Sequence, residues 1–245
     1  MGLYVYAVVH ADGRSAAPIH GLLEQPVYQV AAGGLAAIVS DYPAVSVRPE
    51  RKHIAADQAV MRKLYSERDM LPMAFGTLTQ SKEALVDFIE QQSEALNNQL
   101  QRVAGCIEMG LRLSLDVDDL AAFTVERTPT LKAARDKTYA RRRPPSHDDM
   151  IRLGQAFDTA LKVYRETQAA QLARAVAAVC KEVSTLPVRT EKELANLAML
   201  VPRDGLAAFE AEMEAIAAGF GDEMVFSLTG PWPPYNFVTF EDRLH

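Results

Sequence analysis

Few residues in this chain stand where side-chain chemistry could be concentrated. The histidines His10, His20, His53, His147 and His245 are far apart. None forms an HExxH or other spaced pair, so no zinc site is expected. His53 falls in a helical pattern and reads as a surface or packing residue rather than a base. Asp116, Asp118 and Asp119 follow an apolar run and could attract a divalent cation. They lack the glycine-hinged spacing of a calcium loop and read as a solvated turn. Cys106 and Cys180 are the only cysteines. Neither has an activating neighbour in sequence, and both read as buried, inert thiols. GxGxxG, Walker A and GxSxG motifs are absent. No catalytic, cofactor-binding or metal-binding residue is assigned, and no cofactor is expected.

Two segments are chemically distinctive. Arg141-Arg142-Arg143 is the one basic run, and its place at a helix end before Pro144-Pro145 suits a solvated, dipole-complementing terminus. The stretch Thr229-Gly-Pro-Trp-Pro-Pro-Tyr-Asn-Phe-Val238 holds the only tryptophan. Its prolines fix φ and keep it out of a helix. A stiff aromatic segment loses little entropy on docking. Pro231, Trp232, Pro233, Pro234, Tyr235 and Phe237 are therefore the candidate structural or partner-binding residues. On residue chemistry they lock the tail onto the protein's own core, with Trp232 packed against the C-terminal domain; a partner epitope is the alternative.

The elements that must position these residues follow from periodicity. Leu3–Val9 reads as a strand, and Val27–Ala31 and Leu35–Ser40 as a hairpin around Gly33-Gly34. Ile54, Val60, Met61, Leu64 and Tyr65 mark a helix within 50–69. Leu71–Leu78 is extended, because Pro72 forces Leu71 out of the helical region. Ser81 caps a helix, or two in line, that Gly105 ends. Ile107, Met109, Leu111, Leu113 and Leu115 alternate as a strand. Helical sequence over 130–143 and a long helix capped by Ser146 predict a projecting helical hairpin. Strands near 183–188 and 194–201, a helix from Asp204 and a strand over 223–229 complete the chain. The second half thus reads βαββαβ, a ferredoxin-like arrangement. The expected class is α+β in two domains: residues 1–104, mixed α+β with a β-hairpin, and 105–245, ferredoxin-like with a Pro/Trp-rich tail.

Composition narrows the classes. The chain has 245 residues, 49% hydrophobic and 24% charged, with a formal charge of −6. This is ordinary for a globular protein, and the acidic balance opposes a nucleic-acid binder. The N-terminal apolar run has no basic residue before it and meets His10 and Asp12 too early for a signal peptide. No apolar stretch approaches the ~20 residues of a membrane helix. A cytoplasmic protein with no membrane partner is expected.

Gly230-Pro-Trp-Pro-Pro-Tyr-Asn-Phe-Val238 resembles the C-terminal signature of the gas vesicle protein L/F family (GvpL/GvpF). Leu3-Tyr-Val-Tyr6, Gly33-Gly-Leu-Ala-Ala-Ile-Val-Ser40 and Leu71-Pro-Met-Ala-Phe-Gly-Thr77 resemble its opening strand, hairpin and Pro-x-x-Phe-Gly-Thr segment. Ala74 departs from the pattern, where a basic residue is expected before Phe75. The resemblance spans almost the whole chain. It implies a non-enzymatic minor structural or assembly protein of gas vesicles, the gas-filled shells that give cells buoyancy. Its implied partners are the small hydrophobic shell subunit and other gas vesicle accessory proteins. The alternative is a small-ligand-binding or enzymatic ferredoxin-like α+β protein, since such folds host unrelated functions.

Overall fold

A computed structural model of the chain describes residues 2–11, 19–43, 45–140 and 143–240. Arg141, Arg142 and His245 of the sequence reading lie outside the described residues. The fold is α+β, with two sheets. Contacts divide it into two units: 1–108 with 200–205 and 230–245, and 109–199 with 206–229.

The first unit is built on β1 (Gly2–His10), whose residues 3–9 are all buried. It pairs antiparallel with β3 (Leu35–Tyr42), from Gly2 opposite Tyr42 to His10 opposite Leu35, with a register shift between Val5 and Ala7. β2 (Val27–Ala32) joins β3 through Gly33-Gly34, whose φ of +56° and +82° are both positive. That geometry matches the twist of the flanking strands and strongly favours glycine. β4 (Leu71–Pro72) and β5 (Leu78–Thr79) pair with the other edge of β1.

Alternate side chains of β1 feed different layers. Tyr4, Tyr6 and Val9 share a core with Val60, Met61 and Leu64 of α1 (Arg51–Glu67). α2 (Lys82–Gln91) and α3 (Ser93–Val103) also pack on this sheet, burying Leu85, Ile89, Leu96 and Leu100. The Ser81 hydroxyl accepts the Ala84 amide, the expected N-cap.

The second sheet has the order β7-β8-β6-β9, from β6 (Cys106–Leu115), β7 (Glu182–Thr185), β8 (Glu193–Pro202) and β9 (Met224–Trp232). Between β6 and β7 come α4 (Leu120–Arg127), α5 (Pro129–Tyr139) and α6 (His147–Val176); α7 (Leu206–Ala217) precedes β9. α4 is an element the sequence reading lacked. Asp116, Asp118 and Asp119 form the expected exposed turn, and Asp119 in it caps the helix, accepting the Ala121 and Ala122 amides at 2.8 and 2.9 Å. α5 lies against α6. β9 runs past Thr229 to Trp232, because an edge strand tolerates Pro231, which has no amide to donate.

The long helix α6 begins with a capping box. Ser146 Oγ accepts the Asp149 amide, and Asp149 accepts the Ser146 amide at 3.1 Å. Ser146→Ala should cost about 1 kcal/mol and speed amide exchange over the first turn of α6. An unchanged Tm with unchanged exchange at residues 147–150 would contradict this account of the helix start.

Candidate partner-binding site

The proline–tryptophan tail, from Gly230 onward, belongs by its contacts to the first unit. A buried carboxylate holds it. Glu108, 5% exposed, accepts the Asn236 amide at 2.8 Å and the Asn236 side-chain amide at 2.6 Å. Burial pushes the Glu108 carboxyl above its ordinary pKa, and the two Asn236 bonds pull it back. Gln99 exchanges a reciprocal pair of bonds with the Thr239 backbone, each 2.7 Å. Between these clamps Phe237 is 2% exposed.

Trp232 is 50% exposed, which corrects the expectation that it anchors the tail. It closes the edge strand β9, so its ring stays at the surface while Phe237, in the turn beyond, takes the buried position. Pro233 and Pro234 are buried, whereas Pro231 is exposed and Tyr235 is 39% exposed.

Pro231, Trp232, Pro233 and Tyr235 form one wall of a cavity of about 580 Å³. α1 supplies Ile54, Asp57, Gln58, Met61, Arg62 and Tyr65. Ala74 and Phe75 come from the segment between β4 and β5, which turns at Phe75-Gly76 instead of staying extended over 71–78. The arrangement of Phe75 follows from its neighbours. Gly76, at φ +88°, turns its amide onto the Tyr4 hydroxyl at 3.1 Å, and that hydroxyl donates to Asp57 Oδ1 at 2.9 Å. The Phe75 and Tyr4 rings meet edge-on, with centroids 6.2 Å apart.

Asp57 is therefore a carboxylate, 8% exposed, lining a mainly apolar cavity. Burial raises its pKa and the Tyr4 bond lowers it only partly. Burial, then the carboxylates of Asp57 and Glu108, raises that of Tyr235. Tyr65 is pushed by burial to about 12, and its hydroxyl is buried without a partner. Sequence reasoning missed both acids. Asp57 had a signal, since it sits three residues after Ile54 and four before Met61, in the apolar stripe of α1. Glu108 had none, because it alternates with Ile107 and Met109 on what reads as the solvated face of β6.

Other sequence candidates are placed simply. His53 is buried, with Nδ1 3.0 Å from the Arg48 carbonyl. Cys106 is buried, and burial raises the Cys180 pKa to about 11, far from a reactive thiolate. Among the described residues no cluster of His, Cys, Asp or Glu could hold a metal ion, and no helix is long and apolar enough to cross a membrane.

The family model for gas vesicle synthesis protein GvpL/GvpF matches residues 2–239. The chain belongs to the GvpL/GvpF family. This member is 26% identical over 241 residues to gas vesicle protein F of a Streptomyces species, covering 97% of this chain and 100% of the relative. It is 27% identical to gas vesicle protein L2 of Halobacterium salinarum, covering 97% and 91%. Its fold is similar to the crystal structure of GvpF from Anabaena sp., with a TM-score of 0.85 at 20% identity over 98% of this chain and 99% of that one. For GvpF from Microcystis aeruginosa the TM-score is 0.80 at 19% identity, over 96% and 98%.

Two predictions separate anchor from rim. Phe237→Ala should destabilise by about 3–5 kcal/mol, and Trp232→Ala by about 1 kcal/mol or less, in chemical unfolding. Equal losses would contradict the assignment. For Asp57, a folded-state pKa raised above the unfolded value means that the native state binds more protons between the two. Stability then falls as pH rises through that window. Asp57→Asn removes the ionisation and keeps an acceptor for Tyr4. Its Tm should exceed wild type at pH 7, with the gap closing below about pH 4; a lower Tm at pH 7 would refute the sign.

Proposed function

We propose that this chain is a non-enzymatic, chaperone-like assembly protein of gas vesicles. In this reading it binds the small hydrophobic shell subunit, alongside other accessory proteins, while the vesicle forms in the cytoplasm. Family membership supports the gas vesicle role. The observation that carries the binding step is β9. It ends its sheet, and Val225 and Leu228 on it are 47% and 37% exposed. An open, apolar strand edge offers main-chain hydrogen bonds and side-chain contact to an added strand, a general mode of peptide capture. A very apolar subunit awaiting incorporation needs such cover, because its own exposed surface drives aggregation. The order β7-β8-β6-β9, with helices after β6 and after β8, supports reading the second unit as ferredoxin-like. The charge of −6 supports a protein partner over nucleic acid.

The test is capture of tagged shell subunit by the full-length chain and by a Val225→Lys/Leu228→Lys double variant. Both positions are exposed, so the fold should survive, and lysines on a strand edge discourage pairing. Capture by wild type and a loss of about tenfold or more in the variant is expected. No capture by wild type, or equal capture by both, would overturn the reading.

A further inference from the structure

We propose that the cavity of the first unit binds a lysine or arginine side chain presented on an apolar peptide segment of a partner protein. Asp57 takes the cation, and the rings of Tyr65, Phe75, Trp232 and Tyr235 take its hydrocarbon stem and the flanking residues. These residues are distinct from Val225 and Leu228 of the strand edge.

Charge complementarity carries the argument. Asp57 is more than nine-tenths buried, and its hydrogen bond comes from the neutral Tyr4 hydroxyl. Among the described residues no lysine or arginine pairs with it; Arg62 lines the same cavity but is exposed and forms no ion pair there. A buried carboxylate without a cation is costly, and an incoming ammonium or guanidinium would relieve that cost. The walls suit such a guest. Aromatic faces attract cations, and more strongly when water is excluded. Long cationic side chains also bring an apolar stem that fits a hydrocarbon wall.

The volume and rim favour a peptide over a small free cation. About 580 Å³ lies in the range of pockets that enclose drug-sized groups, well beyond one side chain. At the rim, the exposed Gln58 and Arg62 offer donors to peptide carbonyls, which a simple amine lacks. Trp232, half exposed on the cavity wall, gives an apolar anchor of the kind that dominates interface energetics.

Trp232 is the only tryptophan, so intrinsic fluorescence reports on this cavity directly. The full-length chain is titrated with a capped pentapeptide, acetyl-Ala-Leu-Lys-Leu-Ala-amide. Its norleucine counterpart, uncharged and similar in size, and n-butylammonium serve as comparisons. We expect a saturable change in Trp232 emission, with the lysine peptide binding at least about tenfold tighter than the norleucine peptide. Asp57→Asn, checked for folding by its Tm, should bring the two peptides to equal affinity. Equal affinities on wild type, no saturation by the lysine peptide, or retained preference in Asp57→Asn would each overturn the proposal. Binding of n-butylammonium as tight as that of the lysine peptide would overturn the peptide as occupant.

Discussion

The bond pair between Glu108 and Asn236 is the constraint on which the candidate site rests. A carboxylate 5% exposed is expensive unless its acceptor sites are filled, and here a main-chain and a side-chain amide of one residue fill them. The prolines at 231, 233 and 234 leave the intervening chain little freedom. Fixing Asn236 therefore also fixes where Trp232 and Tyr235 lie. Phe237 adds burial, and the Gln99–Thr239 bonds hold the segment beyond it. The tail is held within the first unit as a structural part of it, and its half-exposed aromatic residues become the wall of a cavity.

A second chain of bonds sets the opposite wall. The left-handed Gly76 directs its amide to Tyr4, whose hydroxyl then has its proton free for Asp57. The turn within the Pro-x-x-Phe-Gly-Thr segment needs glycine at that point, since other residues are strained at this φ. It also leaves Asp57 with a raised pKa in an apolar setting, a local sacrifice of stability. Such sacrifices concentrate where binding is selected over folding.

Much of the fold was legible in the sequence because its signals are local. The Gly33-Gly34 turn, the alternating residues of β6, and the Ser81 and Ser146 caps all act within a few residues. α4 was not, because its short run follows three aspartates that read as a turn until Asp119 is seen to cap it. The aromatic residues of the tail were identified as a group, but not their division into buried Phe237 and rim Trp232. That division depends on β9 lying at a sheet edge, a non-local fact. Glu108 was hidden for the same reason: its face of β6 is polar by pattern, and its hydrogen-bond partner Asn236 lies 128 residues away. Asp57 was readable, as a carboxylate within an apolar helical stripe.

The tail is fixed in its own unit, and the strand edge β9 is the proposed docking site for the shell subunit. Amide hydrogen exchange on the full-length chain, alone and with purified shell subunit, tests both parts at once. The account predicts that Asn236 exchanges slowly in both states, and that the backbone of Met224–Thr229 slows only when the subunit is present. Rapid exchange at Asn236 in the free protein, or an unchanged Met224–Thr229 strand in the complex, would contradict it.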